Sequence, residues 1–441
     1  MFYDSIISYK SFSNSILKIF KDCRLAMKFS KYIWIIGGGQ LQVPLIEEAK
    51  KLGYSTIVTD ANPNCICRDL ADIFETVDIF DIDSNILLYE ELFKSNLSIK
   101  IAGVLAAGID AHQTMAYLSK HIGLVSVSTE IADLAANKDL FRKKMKKLGI
   151  ETPRFKSITM DDLPNLKSLT DQIGYPLIIK NTSSSGSRGT KIFYEPNLEE
   201  MILISKEAIN VSRSKRALIE SLWVGTEHTV ETIFDINGDF HRCFITDRIF
   251  DKSNGYALET GTVHPSQLSE QMQESMYDLA EKVSKLIGVK VGAAKFDMMV
   301  TNTGPKIIEM TLRLSGGFDC QYIVPSATGK NILKAAILTC VGKPFDDNCL
   351  KNKFRKIVLS ESLWPRPGGV IKAIDGVDEV KKMPGFENIF FRYGVGDYIH
   401  NYIDCTKRIC FIICSGTTLA EARQNMAKIK DKITFSIERN E

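Results

Sequence analysis

The sequence predicts a mixed α/β and α+β protein of several domains. Strands and helices alternate from Tyr32 onward, the order that builds a parallel, doubly wound sheet. From about residue 129 the pattern changes to short strands, turn-rich connections and interspersed helices, an α+β texture. At 441 residues the chain has room for about three domains of roughly 150 residues. Hydrophobic residues make up 44% and charged residues 25%, which excludes disordered, collagenous and coiled-coil chains. A net charge of +3 is too mild, and too evenly spread, for a nucleic-acid or membrane surface. No apolar run approaches the roughly 18 residues of a membrane span.

Residues 31–125 read as a Rossmann-like lobe. Tyr32–Ile36 is an apolar strand, Gly37-Gly38-Gly39 a turn, and Val43–Leu52 a helix with apolar spacing that Gly53 ends. Ser55–Thr59 is a second strand, followed by a helix around Ile86–Phe93 and a strand at Ile101–Leu105. A dinucleotide fingerprint would need glycine at position 42, where the chain has Gln42, so a lobe without cofactor is expected. Residues 126–345 hold a basic helix at Ile131–Leu148, strands at Leu177–Lys180, Thr190–Phe193, 217–222 and 229–234, a helix at 197–209, and strands at 294–300 and 306–310 separated by Thr303-Gly304-Pro305. Residues 351–441 read as β-rich, with strands at 355–363 and 407–414 and a closing helix near 418–431.

In residues 1–30, Ile6, Ile7, Phe12, Ile16, Leu17 and Phe20 are interleaved with Ser and Lys, unlike a signal peptide. We expect a dispensable extension upstream of Met27, whose removal leaves catalysis intact. The ten cysteines form no paired C-x-x-C, and reduced thiols in a cytoplasmic protein are expected.

Three clusters carry chemistry. The strand ending at Lys180 runs into Ser183-Ser184-Ser185-Gly186-Ser187-Arg188-Gly189. Small residues let a backbone close on an oxyanion, and lysine supplies a point charge to phosphate. The second cluster places Glu220 on a strand before Trp223, then Glu227 after a short turn. In the third, Asp297 and Glu309 sit on apolar strands twelve residues apart across the Gly-Pro turn, a spacing that brings both carboxylates to one face of a hairpin. A divalent cation is a natural partner for such a pair, and Arg313 follows within reach of an anion.

In this order the clusters resemble the ATP-grasp superfamily, over nearly everything from 31 to 441. The resemblance implies a preliminary lobe at 31–125, an ATP-grasp fold of two α+β subdomains at 126–345 and a β-rich C-terminal domain like that of the carboxylase branch at 351–441. It implies ATP and Mg²⁺, or Mn²⁺, as cofactors. Lys138 and Lys180 would contact phosphate, and Ser185, Gly186, Ser187 and Gly189 would fold over the γ-phosphate. Glu220 and the backbone near Trp223 would hold adenine, and Glu227 the ribose. Asp297 and Glu309 would bind the metal, and Arg313 the anionic substrate or acyl-phosphate. The family usually has Asn two residues after the second metal glutamate. Here Thr311 stands there, and a hydroxyl can still ligate Mg²⁺, which puts in question how strongly a second metal is held. In Tyr256–Pro265, Glu259 matches a segment that often lines the substrate side and would hold an ammonium group.

The resemblance implies an ADP-forming ligase that joins a small carboxylic acid, with an amino acid as first choice, to an amine. Both substrates are small molecules, and a homodimer is the family's habit. Biotin carboxylases carry a Glu-His pair shortly after the arginine, which Arg313-Leu314-Ser315-Gly316-Gly317-Phe318-Asp319 lacks. Biotin-carboxylase-like or purine-pathway-like carboxylation or ligation, and a non-catalytic ATP-binding module, remain as alternatives.

Overall fold

The structure, a computed structural model, describes residues 30–93, 99–183, 186–253, 255–364, 368–400 and 405–439. The N-terminal extension (1–29), Ser184, Ser185 and Pro367 lie outside the described residues.

A first parallel sheet holds β1 (Ser30–Ile36), β2 (Ser55–Asp60), β3 (Ile73–Thr76) and β4 (Ile99–Ala106), in the order β3-β2-β1-β4. Both faces of β1 are apolar, so both must be covered. Ile33 and Ile35 pack on the helices Val43–Lys51 and Ile332–Cys340, the second supplied from much later in the chain. Trp34 and Ile36 face a larger core that runs through Val104 and Met115 to Met276, Val283 and Phe296. The lobe is therefore fused to the rest of the molecule. At the triple-glycine turn, Gly38 N donates to Asp60 Oδ2 (2.7 Å) and Gly39 N to Gln42 Oε1 (2.8 Å), so side chains already use these amides.

A small antiparallel sheet, β5 (Phe155–Ile158), β6 (Leu177–Asn181), β7 (Lys191–Phe193) and β8 (Ala217–Ser221), has the order β5-β8-β6-β7. It closes its own core with the helices Leu166–Ile173 and Leu198–Val211. An eight-stranded sheet faces it, built from β9 (Thr226–Phe234), β10 (Phe240–Asp251), β11 (Leu258–His264), β12 (Gly292–Thr301), β13 (Gly304–Thr311), β14 (Ile357–Leu363), β16 (Phe386–Phe391) and β18 (Cys410–Gly416). The remaining strands, β15 (Gly369–Asp375), β17 (Tyr398–Ile399) and β19 (Thr434–Glu438), form a three-stranded sheet. The helix Leu419–Lys432 buries Ala422, Met426 and Ile429 in a core shared with β14, β15 and β18.

Three differences from the sequence reading bear on the site. The helix expected over Ile131–Leu148 is two helices, Thr129–Ala135 and Lys138–Lys147, because Asn137 caps the second by accepting from Asp139 N and Leu140 N. Strands β10 and β11 and the helix Glu270–Ile287 were not anticipated. The large sheet also crosses the expected boundary between 345 and 351, since β14 pairs with β11 from His264↔Val358 to Gly261↔Glu361. Nine cysteines among the described residues are free. No described helix is long and apolar enough to cross a membrane.

Candidate active site

The two facing sheets leave a cleft of about 280 Å³, open to solvent. One end is walled by Pro153, Ile178 and Ile192 from the small lobe and by Met299 and Ile308 from the large sheet, with Trp223 beside them. The turn between β8 and β9 passes close over β12, where a Cβ on Gly225 would lie 2.0 Å from Val300 O. Only glycine fits that approach.

Moving inward, the lining becomes charged. Lys180, at the end of β6, is buried, and its Nζ lies 2.5 Å from Glu220 Oε2. Arg142 Nε, one turn into the helix that starts at Lys138, lies 2.5 Å from Glu220 Oε1. Arg142 also donates to Ile307 O (3.2 Å) and Ile308 O (2.5 Å), tying β13 to the small lobe. Against burial, Arg142 and Lys180 hold the Glu220 carboxyl at about 2. Burial pushes the Lys180 ammonium down, and Glu220 offsets part of that. Both oxygens of Glu220, expected at adenine, are engaged by cations. Nothing in one sequence marks Arg142 as their bridge.

Lys138 N donates to Thr182 O (2.8 Å), which docks the N-terminus of its helix against the end of β6. Its Nζ lies 3.2 Å from Glu309 Oε2. Glu309 and Asp297 are direct cross-strand partners on β13 and β12, so the hairpin presents both carboxylates to the cleft. Lys295 Nζ (2.5 Å) and Arg248 Nη1 (3.1 Å) contact Asp297 Oδ1. Against burial, Lys138 and Lys295 hold Glu309 at about 2, ionised at every physiological pH. Among the described residues no three His, Cys, Asp or Glu side chains converge as a metal cage. Two carboxylates suit Mg²⁺, which usually takes one or two from protein and the rest from phosphate and water.

At the far end Arg313 is clasped by Asp110 at the end of the first sheet, with Nη2 and Nε 2.6 and 3.0 Å from Oδ1. Arg248 Nε lies 2.9 Å from Glu259 Oε1. A bulge between Ile249 and Phe250 in the β10–β11 pairing brings the two together. Glu227 is cross-strand to Arg248 and takes Lys252 Nζ at 2.9 Å. Behind this end, buried Glu231 Oε2 accepts from Ser315 N (3.0 Å), while Oε1 has no hydrogen-bond partner. Burial raises that carboxyl to about 7.

Gly186 and Ser187 line the cleft; Ser187 Oγ donates to Ala257 O (3.0 Å), and Cys405 N donates to Gly186 O (3.1 Å). Gly189 turns away to pack on the helix Leu198–Val211, where a Cβ would meet Ala208 Cα at 2.8 Å. Thr311 is absent from the main cleft. It is buried with its Oγ1 unpartnered, facing a small polar recess shared with Glu309, Lys138, His112 and Arg213. Thus Lys138, Lys180, Gly186, Ser187, Glu220, Trp223, Glu227, Glu259, Asp297, Glu309 and Arg313 meet around one cleft. The sequence reading missed Asp110, Arg142, Arg248 and Lys295. Only Lys295 had a local signal, two residues before Asp297 and hence on the same strand face.

Residues 137–348 match the carbamoyl-phosphate synthase L chain ATP-binding domain family. Residues 30–92 match the ribonucleotide synthetase preATP-grasp domain, and 362–438 the L-amino acid ligase C-terminal domain 2. The chain has the ATP-grasp fold. The carbamoyl phosphate synthase large chain of Archaeoglobus fulgidus is 27% identical over 303 residues, 67% of this chain. The chain spans only 27% of that relative's length. The ATP-grasp architecture is shared with an L-amino acid ligase from Bacillus licheniformis, at TM-score 0.76 and 18% identity over 93% of this chain and 100% of that one. It is shared too with the biotin carboxylase domain of a Hydrogenobacter thermophilus 2-oxoglutarate carboxylase, a dimer solved with MgADP and bicarbonate (TM-score 0.67, 18% identity, 93% of this chain and 92% of that one).

Proposed function

We propose that this protein is an ADP-forming ligase, which activates a small carboxylic acid as an acyl-phosphate and joins it to an amine. The observation that carries the reading is the pairing of Asp297 with Glu309 across β12–β13, in one cleft with Lys138, Lys180 and Arg313. In this reading the apolar end and the Trp223 backbone hold adenine, and Glu227 holds the ribose. Lys138, Lys180 and the Ser183–Gly189 loop hold phosphates. Asp297 and Glu309, with Thr311 as a further oxygen, would hold Mg²⁺ or Mn²⁺, which lowers the charge on the phosphates when bound. Arg313 steadies the negative charge on the acyl-phosphate and on the oxyanion formed as the amine attacks. Such a site works mainly by positioning and electrostatics. An amino acid as the acid is supported by the match of 362–438. A homodimer and a cytoplasmic setting belong to the same reading.

The test is phosphate release over a matrix of amino acids, hydroxy acids and amines with Mg-ATP. The expected products are ADP and phosphate, and hydroxylamine should trap the activated acid as a hydroxamate. Formation of AMP and pyrophosphate, or a strict bicarbonate requirement, would defeat the proposal.

A further inference from the structure

Seven carboxyl groups line the cleft, and six are held by lysine or arginine as described above. The seventh is Asp319. It has no ion-pair partner among the described residues, its Oδ1 is buried without a hydrogen-bond partner, and the residue is 3% exposed. A carboxyl shut away from water without a cation is costly, so its presence in a cleft points to a cationic ligand.

The backbone supports this. Gly317 and Phe318 both have φ of +67°, left-handed geometry that a bulky residue avoids. Phe318 is held there by stacking on Phe390 (4.1 Å between centroids, 9° between planes) and by edge contact with Phe411 at 5.3 Å. Two strands of the C-terminal region thus fix the turn that delivers Asp319 to the cleft. The charges facing it come from four strands: Glu231 on β9, Arg248 on β10, Glu259 on β11 and Lys295 on β12. Burial, and then the Glu259 charge, lift the Asp319 carboxyl well above the usual range.

We propose that Asp319 receives the ammonium group of the amine substrate and takes its proton as that amine attacks the activated acid, an assignment that rests on the ligase reading above. The ammonium enters against the Asp319 carboxylate, the form that a neighbouring cation favours. One N–H proton then passes to Asp319 and the freed lone pair forms the C–N bond. The acyl C–O bond breaks, and phosphate departs with that electron pair and the second N–H proton.

The test compares two nucleophiles in Asp319→Asn and Asp319→Ser, with the acid and amine drawn from the matrix above. Hydroxylamine is largely uncharged at neutral pH and needs no base. Hydroxamate formation should therefore stay within a few-fold of wild type, which also shows that the variants fold. Amide formation should fall by roughly 10²–10⁴ and recover as pH rises, when the amine arrives uncharged. Equal loss of both reactions, no loss of either, or a selective loss that high pH does not relieve would each overturn the assignment alone. Absence of hydroxamate from the wild-type enzyme would overturn the ligase reading and the assignment with it.

Discussion

Two buried glutamates, one at each end of the cleft, are treated in opposite ways. At the inner wall of the end proposed for nucleotide, Glu220 is held twice, by Arg142 and Lys180, and its carboxyl sits at about 2. At the other end, Glu231 receives one backbone N–H and keeps an unpartnered oxygen, and burial lifts it to about 7. The first arrangement is complete within the protein and acts as scaffold. The second holds a carboxyl that burial favours in its neutral form. Substitutions that remove charge should therefore have opposite signs at the two ends.

The largest effect is expected at the completed end. Glu220→Ala strands Arg142 and Lys180 in a buried setting and should cost about 3–5 kcal/mol of stability, read as a large drop in denaturant midpoint. A midpoint close to wild type would break the comparison. Arg313→Ala comes next. Loss of one donor aimed at developing negative charge costs on the order of 10²–10³ in rate, so turnover should collapse while ATP binding changes little. Parallel losses in both would move Arg313 into the nucleotide site.

Glu231→Gln should gain stability. The unfolded chain sheds this proton near 4.5 and the folded protein near 7, so the folded state is favoured most below 4.5. That advantage is lost as pH rises between the two values, and above 7 the wild type carries the full cost, at most about 3 kcal/mol. The variant's advantage should be absent near pH 4.5 and greatest at pH 8, and a melting-temperature difference that stays flat with pH would refute it. Glu309→Gln removes a charge from the carboxylate pair. Its rate should fall on the order of 10–100-fold, the scale on which groups around a metal act, with partial rescue by high Mg²⁺ or by Mn²⁺. Smallest of all, Thr311→Val should raise the Mg²⁺ requirement a few-fold while Thr311→Asn keeps it; identical titrations for both would make Thr311 a bystander.

The sequence carried the local half of this architecture. Strands β1, β2 and β4 were legible because both faces are apolar, and the β12–β13 hairpin because its strands flank a Gly-Pro turn. Strand β10 was missed because Arg242, Asp247, Arg248 and Asp251 give its sequence the look of a loop. Arg248 is satisfied across strands by Glu227 and Glu259, Asp247 by His228, and Arg242 by Glu274 and Asp278 on the following helix. The helix Glu270–Ile287 did carry a signal, a Ser269 cap with Met276, Ala280, Val283 and Ile287 at helical spacing. The site was legible where residues cluster along the chain, as from Asp297 to Arg313. Pairings such as Arg313 with Asp110 span 203 positions, and strand order decides them.

The continuation of the large sheet from β11 into β14 bears on how this protein can be divided or recombined. A piece ending near residue 350 would keep every group proposed for nucleotide and metal. It would also lay bare the backbone of β11 from Gly261 to His264, now paired with β14, and an open strand edge invites association with other chains. The same cut strips Phe390 and Phe411 from Phe318. Exchanging the last ninety or so residues between relatives is thus a graft onto a sheet edge and an aromatic stack, and it should succeed only where both surfaces match.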